Sequence, residues 1–380
     1  MGGKFTEDHE IFRRTLRNFC ENELAPHAQE WERDEIFPRW VFNRFGEMGF
    51  FGIRYPEDVG GSGLDYWYTV VYAEDLPRCR TGGLPMAMMV QSEMATPIID
   101  KVGTKEQREE FLAPAIRGEK IAALGVTEPN AGSDVARIRT TAKRDGDDYL
   151  INGSKTFITN GTRADFITLA VKTRPEEGFH GVSVFLVPTN LPGYTVTRKL
   201  KKMGNHSSDT AEIHLDNVRV PGRYLLGEEN SGFYYIMQNF QGERLIGAIS
   251  ALAGAELTLL KTIDYCQQRE VFGRPISKFQ VNRHKIVDMA TKIEAARQLN
   301  YHCADLYNQD VNCVKEISMA KIFAGELAIE VAHHCVQLHG GYGYMDEYDV
   351  SRAYRDSRLI TIGGGTSEVM KEIISKLMNL

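Results

Sequence analysis

Texture changes twice along this 380-residue chain, near Lys120 and again after Gly232, and those two changes limit the folds open to it. Before the first, apolar residues recur at helical spacing. Phe12, Leu16, Phe19 and Leu24 share one broad stripe of a stretch over 5–31. Further helices are expected over 39–48, 65–76, 86–102 and 105–116, with a turn-rich loop at 55–63. Between the two changes, short β-rich runs alternate with turns, at 121–126, 140–143, 149–151, 155–159, 166–171, 181–187, 194–198 and 212–218. Arg144-Asp145-Gly146-Asp147-Asp148 signals a hairpin, and Asn152-Gly153 and Asn160-Gly161 mark further turns. These runs lie too close together for helical crossovers, so antiparallel pairing is expected. After the second change the helical period returns over 233–269, 279–306, 314–338 and 366–380, which predicts an antiparallel bundle. The expected fold is mainly α with a middle β domain: an N-terminal helical domain (1–118), an antiparallel β domain (119–228) and a C-terminal four-helix bundle (229–380).

Composition narrows the function classes. The net charge of −6 is modest and no basic run stands out, so neither nucleic acid nor an anionic membrane is an expected partner. Six scattered cysteines without a C-x-x-C pair fit buried thiols in a reducing compartment. The amino terminus has no apolar signal core and no Arg/Ser-rich transit segment. No apolar run approaches the ~18–20 residues of a bilayer span. A cytoplasmic protein is expected, or a mitochondrial matrix protein after processing.

Several segments carry chemistry-bearing residues, and each also admits an ordinary structural account. Val126-Thr127-Glu128-Pro129-Asn130-Ala131-Gly132-Ser133-Asp134 follows the first β run, as a turn whose free N–H groups face a ligand or as a surface loop. In Lys155-Thr156-Phe157-Ile158-Thr159-Asn160-Gly161, Phe157 offers a wall to a flat ring and Thr159 a hydrogen bond at its edge, or both are plain strand residues. Arg269-Glu270-Val271-Phe272-Gly273-Arg274-Pro275 reads as a helix end, basic in the last turn and stopped by Gly and Pro. Gln337-Leu338-His339-Gly340-Gly341-Tyr342 ends another helix. With His333 and His334 it raises a metal site, but no carboxylate or cysteine completes a ligand set, and no metal is expected. Gly363-Gly364-Gly365-Thr366-Ser367-Glu368 leads into the last helix, as an anion site or as a joint capped by Thr366 or Ser367. In Gln241-Gly242-Glu243-Arg244-Leu245, the two charges point about 100° apart on a helix and cannot pair face to face. Spacing alone makes both of them boundary residues with wet tips.

Taken in order, Thr-Glu-Pro-x-Ala-Gly-Ser-Asp, Ile-Thr-Asn-Gly, Arg-x-x-Phe-Gly, Gln-x-x-Gly-Gly-x-Gly and Gly-Gly-Thr-Ser-Glu resemble the acyl-CoA dehydrogenase family, as does the helix–β–helix layout. The resemblance implies non-covalent FAD. It implies that Val126, Thr127 and Ser133 line the flavin, with Ser133 near the pyrophosphate or the pantetheine end of the substrate. It places Phe157, Ile158 and Thr159 on the isoalloxazine. Arg269, Phe272, Gln280, Gln337, Leu338, His339, Gly340 and Gly341 would hold the adenine half across a subunit interface, and Thr366, Ser367 and Glu368 would close over the cofactor. Substrate contacts are implied at Ser133, Tyr234, Gln241, Gly242, Arg244, Gly364 and Gly365. The implied partners are an acyl-CoA substrate, an electron-transfer flavoprotein as acceptor, and copies of this chain in a homotetramer built as a dimer of dimers.

One departure from the family pattern is informative. Many relatives carry the catalytic glutamate just before Gly-Thr-Ser, where this chain has Gly364. The long-chain and isovaleryl branches instead place it on the long helix in a Glu-Arg-Leu context, present here as Glu243-Arg244-Leu245. The resemblance therefore implies Glu243 as the base for the α-proton, hydride passing from Cβ to flavin N5, and a long-chain substrate. The alternatives are a short branched substrate of the isovaleryl type, an acyl-CoA oxidase, and a non-catalytic binding protein on the same fold. Glu368 is the rival base, three or four residues too late. Met86, Met88, Met89 and Met94 offer an adaptable wall for a deep acyl pocket, or ordinary core.

Overall fold

The computed structural model describes residues 4–380; the first three residues of the amino-terminal reading lie outside the described residues. Helix α1 (Glu7–Phe19) opens on a capping box between Thr6 and His9. The single helix expected over 5–31 is two. A π turn (Cys20–Leu24) and a 3₁₀ turn (Ala25–His27) separate α1 from α2 (Ala28–Asp34), because Pro26 has no N–H to continue the ladder. Helix α3 (Trp40–Glu47) and the Asp65-capped α4 (Tyr66–Asp75) follow. The expected helix over 86–102 divides likewise into α5 (Gly83–Met89) and α6 (Pro97–Val102), around a π turn ahead of Pro97. Helices α7 (Lys105–Gln107) and α8 (Ala113–Ile116) flank another π turn, ahead of Pro114.

The middle segment holds β1 (Ala122–Gly125), β2 (Thr141–Asp145), β3 (Asp148–Thr159), β4 (Phe166–Lys172), β5 (Val182–Pro188), β6 (Tyr194–Lys199) and β7 (Thr210–Pro221) in one sheet. Four pairings are antiparallel: β2–β3, β3–β7, β6–β7 and β4–β5. The sheet is nonetheless mixed. β1 runs parallel to β4 from Ala122↔Phe166 to Gly125↔Leu169, and β2 meets β4 in parallel at Thr141↔Lys172. The β2–β3 hairpin provides the crossover that spacing seemed to leave no room for. Asn152-Gly153 is not a turn but a bulge inside β3, where the register to β7 shifts. A second shift, between Lys155 and Ile158, turns Phe157 out of the sheet at φ 61 with 69% of its surface exposed.

Three long helices, α9 (Gly232–Gln268), α10 (Gln280–Asn308) and α11 (Val314–His339), make the bundle with the shorter α12 (Asp349–Ser357) and α13 (Ser367–Leu377). Helix α12 was not expected. Residues 270–275 are more than a helix end. β8 (Glu270–Val271) and β9 (Arg274–Pro275) form a hairpin whose turn residues Phe272 and Gly273 both have positive φ, 51 and 76.

The cores cross the sequence boundaries. Leu245, Ile246 and Ile249 of α9, with Cys303 of α10 and Ile317 of α11, share one core with Leu16, Phe45 and Tyr72 of the first segment. Helix α9 departs from the expectation that no stretch is long and apolar enough for a bilayer span. An 18-residue window of α9 has a mean hydropathy of 1.4, apolar enough by composition to cross a membrane. Of its apolar residues, Leu245, Ile246 and Ile249 pack in the core shared with the first segment, and Ala248, Leu252, Ala255 and Leu259 pack against α10 and α11 in a third core.

Candidate active site

Positions 239, 242, 243 and 246 lie on one face of α9, and that face points inward. Asn239, Gly242 and Ile246 are buried. Glu243 is half-buried, but its Oε2 has no accessible surface and no hydrogen-bond partner. Burial pushes the carboxyl up to about 7, against the opposing charges of Arg244 and Lys321. Arg244 is only 5% exposed and donates from Nε to the Gly364 carbonyl at 3.0 Å. Lys321 of α11 is buried too. It donates to the carbonyls of Ile360, at 3.1 Å, and Gly365, and burial pulls its ammonium down to about 8. Two buried cations thus fasten the loop ahead of α13 against the α9 carboxyl. The wet-tip expectation for Glu243 and Arg244 is overturned, because the α9 face they occupy is covered by that loop. Lys321 escaped the sequence reading; its signal was a lone ammonium inside Ile317-Ser318-Met319-Ala320-Lys321-Ile322-Phe323-Ala324.

Gly364 has φ 63, and a Cβ built on it would stand 3.2 Å from Glu243 Oε1. A side chain at 364 and the carboxyl from α9 therefore compete for one space. Glu368, the rival base, is solvent-exposed in the first turn of α13. Its own backbone N–H and Thr366 hold its carboxyl below the usual range. Thr366 is the N-cap, accepting from the Val369 N–H at 3.2 Å.

A second group forms where β3 meets the loop after β1. The Thr156 N–H donates to the Thr127 carbonyl at 2.9 Å. Lys155 Nζ reaches the Val126 carbonyl at 3.0 Å and Glu128 Oε1 at 2.8 Å. Glu128 also accepts the N–H groups of Arg139 (2.6 Å) and Thr140 (3.0 Å). Both charged side chains are buried, and burial pulls the Lys155 ammonium down to about 8. Burial alone would raise the Glu128 carboxyl; Lys155 and the two other donors outweigh it and hold it low. These bonds tie Val126 to Lys155 and Thr127 to Thr156, in the strand that goes on to Phe157 and Thr159. Ser133 lies on the exposed side of the same loop. The Ile158 side chain does not join that surface: it is 2% exposed and packs in the β core, because strand alternation turns it opposite to Phe157.

The third group is a cleft of about 690 Å³ walled by Tyr265, Arg269 and the run from Gln337 through Tyr342, which includes Leu338, His339, Gly340 and Gly341. His339 stacks on Tyr265 with centroids 4.2 Å apart, and its Nδ1 lies 2.8 Å from the Cys335 carbonyl oxygen. Among the described residues no three His, Cys, Asp or Glu side chains gather as metal ligands. Phe272 and Gln280 are not walls of this cleft; Phe272 is 96% exposed at the tip of the β8–β9 hairpin. Among the described residues no hydrogen bond or ring contact joins this cleft to the Val126–Phe157 surface. Of the implied substrate contacts, Gln241 keeps a buried, unpartnered Oε1, while Tyr234 is exposed near the start of α9.

Comparison with known proteins accounts for this arrangement. Models of the N-terminal, middle and C-terminal domains of acyl-CoA dehydrogenase match residues 6–119, 123–218 and 230–378. The chain belongs to the acyl-CoA dehydrogenase family. It is 41% identical over 374 residues to the mitochondrial long-chain specific acyl-CoA dehydrogenase of Mus musculus, covering 98% of this chain and 86% of that one. It is 38% identical to subunit CarC of the caffeyl-CoA reductase–Etf complex of Acetobacterium woodii, with 98% and 99% covered. The crystal structure of an acyl-CoA dehydrogenase from Geobacillus kaustophilus superposes with a TM-score of 0.97 at 41% identity, over the full length of both chains. The protein is accordingly an FAD-dependent oxidoreductase acting on the CH–CH group of acyl-CoA thioesters.

The residues present fit FAD. The cleft at Arg269 and Gln337–Tyr342 has the size of a nucleotide site. A Cβ on Gly340 or Gly341 would meet nothing within 4 Å, so that rim is open to a ligand. Phe157 holds a large apolar ring in the open at a backbone angle unfavourable to it, which a flat apolar ligand would cover.

Proposed function

We propose that Glu243 is the base that removes the α-proton of the acyl thioester. The observation that carries this reading is its buried, unpartnered Oε2 beside Gly364, with the carboxyl pushed up to about 7. A carboxylate at its ordinary value is too weak a base for a thioester α-hydrogen, and burial supplies part of the missing basicity. Arg244 and Lys321 limit the rise and fix the loop, so the Gly364 peptide stands where its N–H can meet a developing enolate oxygen. Bound FAD supplies the hydride acceptor for the β-hydrogen. Val126, Thr127, Phe157 and Thr159 are proposed to hold its flavin end, and Arg269 with Gln337 to Gly341 its adenine end.

The separation of these two surfaces within one chain, and Phe272 standing almost fully exposed, support a cofactor site completed by a second protomer, a pairing that the proposed homotetramer would contain twice. The Acetobacterium relative, named as part of a complex with Etf, supports an electron-transfer flavoprotein as acceptor. The three domains are proposed to divide after residues 118 and 228. For the acyl group, the mouse relative favours a long chain. The methionines lend this no support: Met88, Met89 and Met94 pack in the core shared by the first and third segments.

Two outcomes test the base. Rates of flavin reduction at low acyl-CoA should rise with pH through about 7 and then level, since only the ionised carboxyl accepts a proton. A profile flat from pH 6 to pH 8 contradicts the assignment. Gly364→Glu should cost about 1–2 kcal/mol of stability through its positive φ. It should also cut kcat/KM at least about tenfold, by setting a second carboxylate against the first. Unchanged kinetics in that variant would remove the competition argument.

A further inference from the structure

Against the same face of α9 that carries Glu243 lies a small cavity of about 60 Å³. Asn239, one helical turn before the base, and Gly242, directly before it, form its α9 wall. A Cβ on Gly242 would stand 2.8 Å from the Tyr307 hydroxyl across the cavity, so the glycine keeps it open. Its other walls are charged. Arg54 donates to Glu93 at 2.8 Å, and Glu93 is only 5% exposed. The Arg54 guanidinium lies over the rings of Tyr66 and Tyr307, at 5.0 and 5.8 Å, and its Nε is buried with no partner. Asp100, paired with Arg108, and exposed Lys101 form the outer rim. Arg54 and Lys101 balance Glu93 and Asp100, so the cavity has polar walls and no net charge.

Resting on Glu243 as the base, we propose that this cavity is the far end of the acyl site and selects acyl groups carrying an uncharged oxygen, a hydroxyl or carbonyl, a few carbons beyond Cβ. The CoA moiety is far too large for it, so of a thioester held at Glu243 only the acyl tail can enter. A plain alkyl end would set carbon against the Arg54 guanidinium and the Tyr307 hydroxyl and offer them no hydrogen bond. An oxygen there accepts from the guanidinium, and sites built around such a bond discriminate strongly against analogues that lack the group. Similarity to the mouse long-chain enzyme predicts the reverse rank order, so the comparison below decides between this acyl group and a plain long chain.

The test compares 6-hydroxyhexanoyl-CoA with heptanoyl-CoA, which is matched in length. Flavin reduction is followed with the holoenzyme, and binding is followed calorimetrically with the Glu243→Gln protein. The hydroxyacyl thioester should be favoured at least about tenfold in kcat/KM and in affinity. The preference should reverse in Arg54→Leu/Glu93→Leu, with FAD content checked as evidence of folding. Tyr307→Phe, which deletes one hydroxyl, should narrow the preference severalfold even where the double variant does not fold. Equal or better handling of heptanoyl-CoA by the unaltered protein overturns the proposal, as does a preference that survives in Tyr307→Phe and in a folded double variant. If no thioester reduces the flavin, the Glu243 reading fails first and this one with it.

Discussion

Glu243→Gln should slow flavin reduction by acyl-CoA about 10²–10⁴-fold, the range for loss of a positioned general base, while FAD and acyl-CoA still bind. The amide is nearly isosteric, and Oε2 has no hydrogen-bond partner to lose, so the loop at Gly364 stays fastened by Arg244 and Lys321. The variant should not be less stable. The folded carboxyl titrates near 7, above its unfolded value of about 4.3. The folded state therefore bears an unfavourable buried charge that grows as pH rises from about 4.3 through 7 and is complete above that. Glutamine lacks this penalty, so any gain in stability should appear at pH 8 and vanish near pH 4. Denaturant titrations at the two pH values check the sign; a variant less stable at pH 8 contradicts it.

Glu128→Ala should have the largest effect on stability. It leaves the Lys155 ammonium in the core without its counter-charge and takes the acceptor from the N–H groups of Arg139 and Thr140. Breaking a buried pair from one side costs about 3–5 kcal/mol. The damage should spread to FAD retention, because Lys155 also ties the Val126 carbonyl to β3. Denaturant unfolding of the holoenzyme, read alongside the FAD it retains, measures both. A loss below about 1 kcal/mol would mean that Lys155 finds water or sheds its proton at little cost.

Much of this was legible because local rules and the fold agree. Asp145-Gly146-Asp147 specified its hairpin and the helical period over 65–76 its helix, while the Glu-Arg-Leu context with Gly364 pointed to one carboxyl only through the family resemblance. The misses have physical causes. Pro26, Pro97 and Pro114 sit inside good helical patterns, and periodicity does not count a missing N–H. Asn152-Gly153 reads as a turn until β7 pairs across it and makes it a bulge. The parallel β1–β4 pair depends on contacts between distant segments, which run spacing does not encode. Lys321, Tyr265 and the Arg54–Glu93 pair were invisible because their importance comes from what α9 and the loops bring beside them.

The central claim is that Glu243 takes the α-proton. A 3-thiaacyl-CoA, with sulfur in place of the β-carbon, isolates that step, since no β-hydride can follow. Incubated with it in deuterium oxide, the unaltered holoenzyme should exchange the α-hydrogens for deuterium, as read by mass spectrometry. Glu243→Gln, binding the same thioester, should exchange them at least about a hundredfold more slowly. Exchange at the same rate in both proteins would assign the proton to another group and contradict the account.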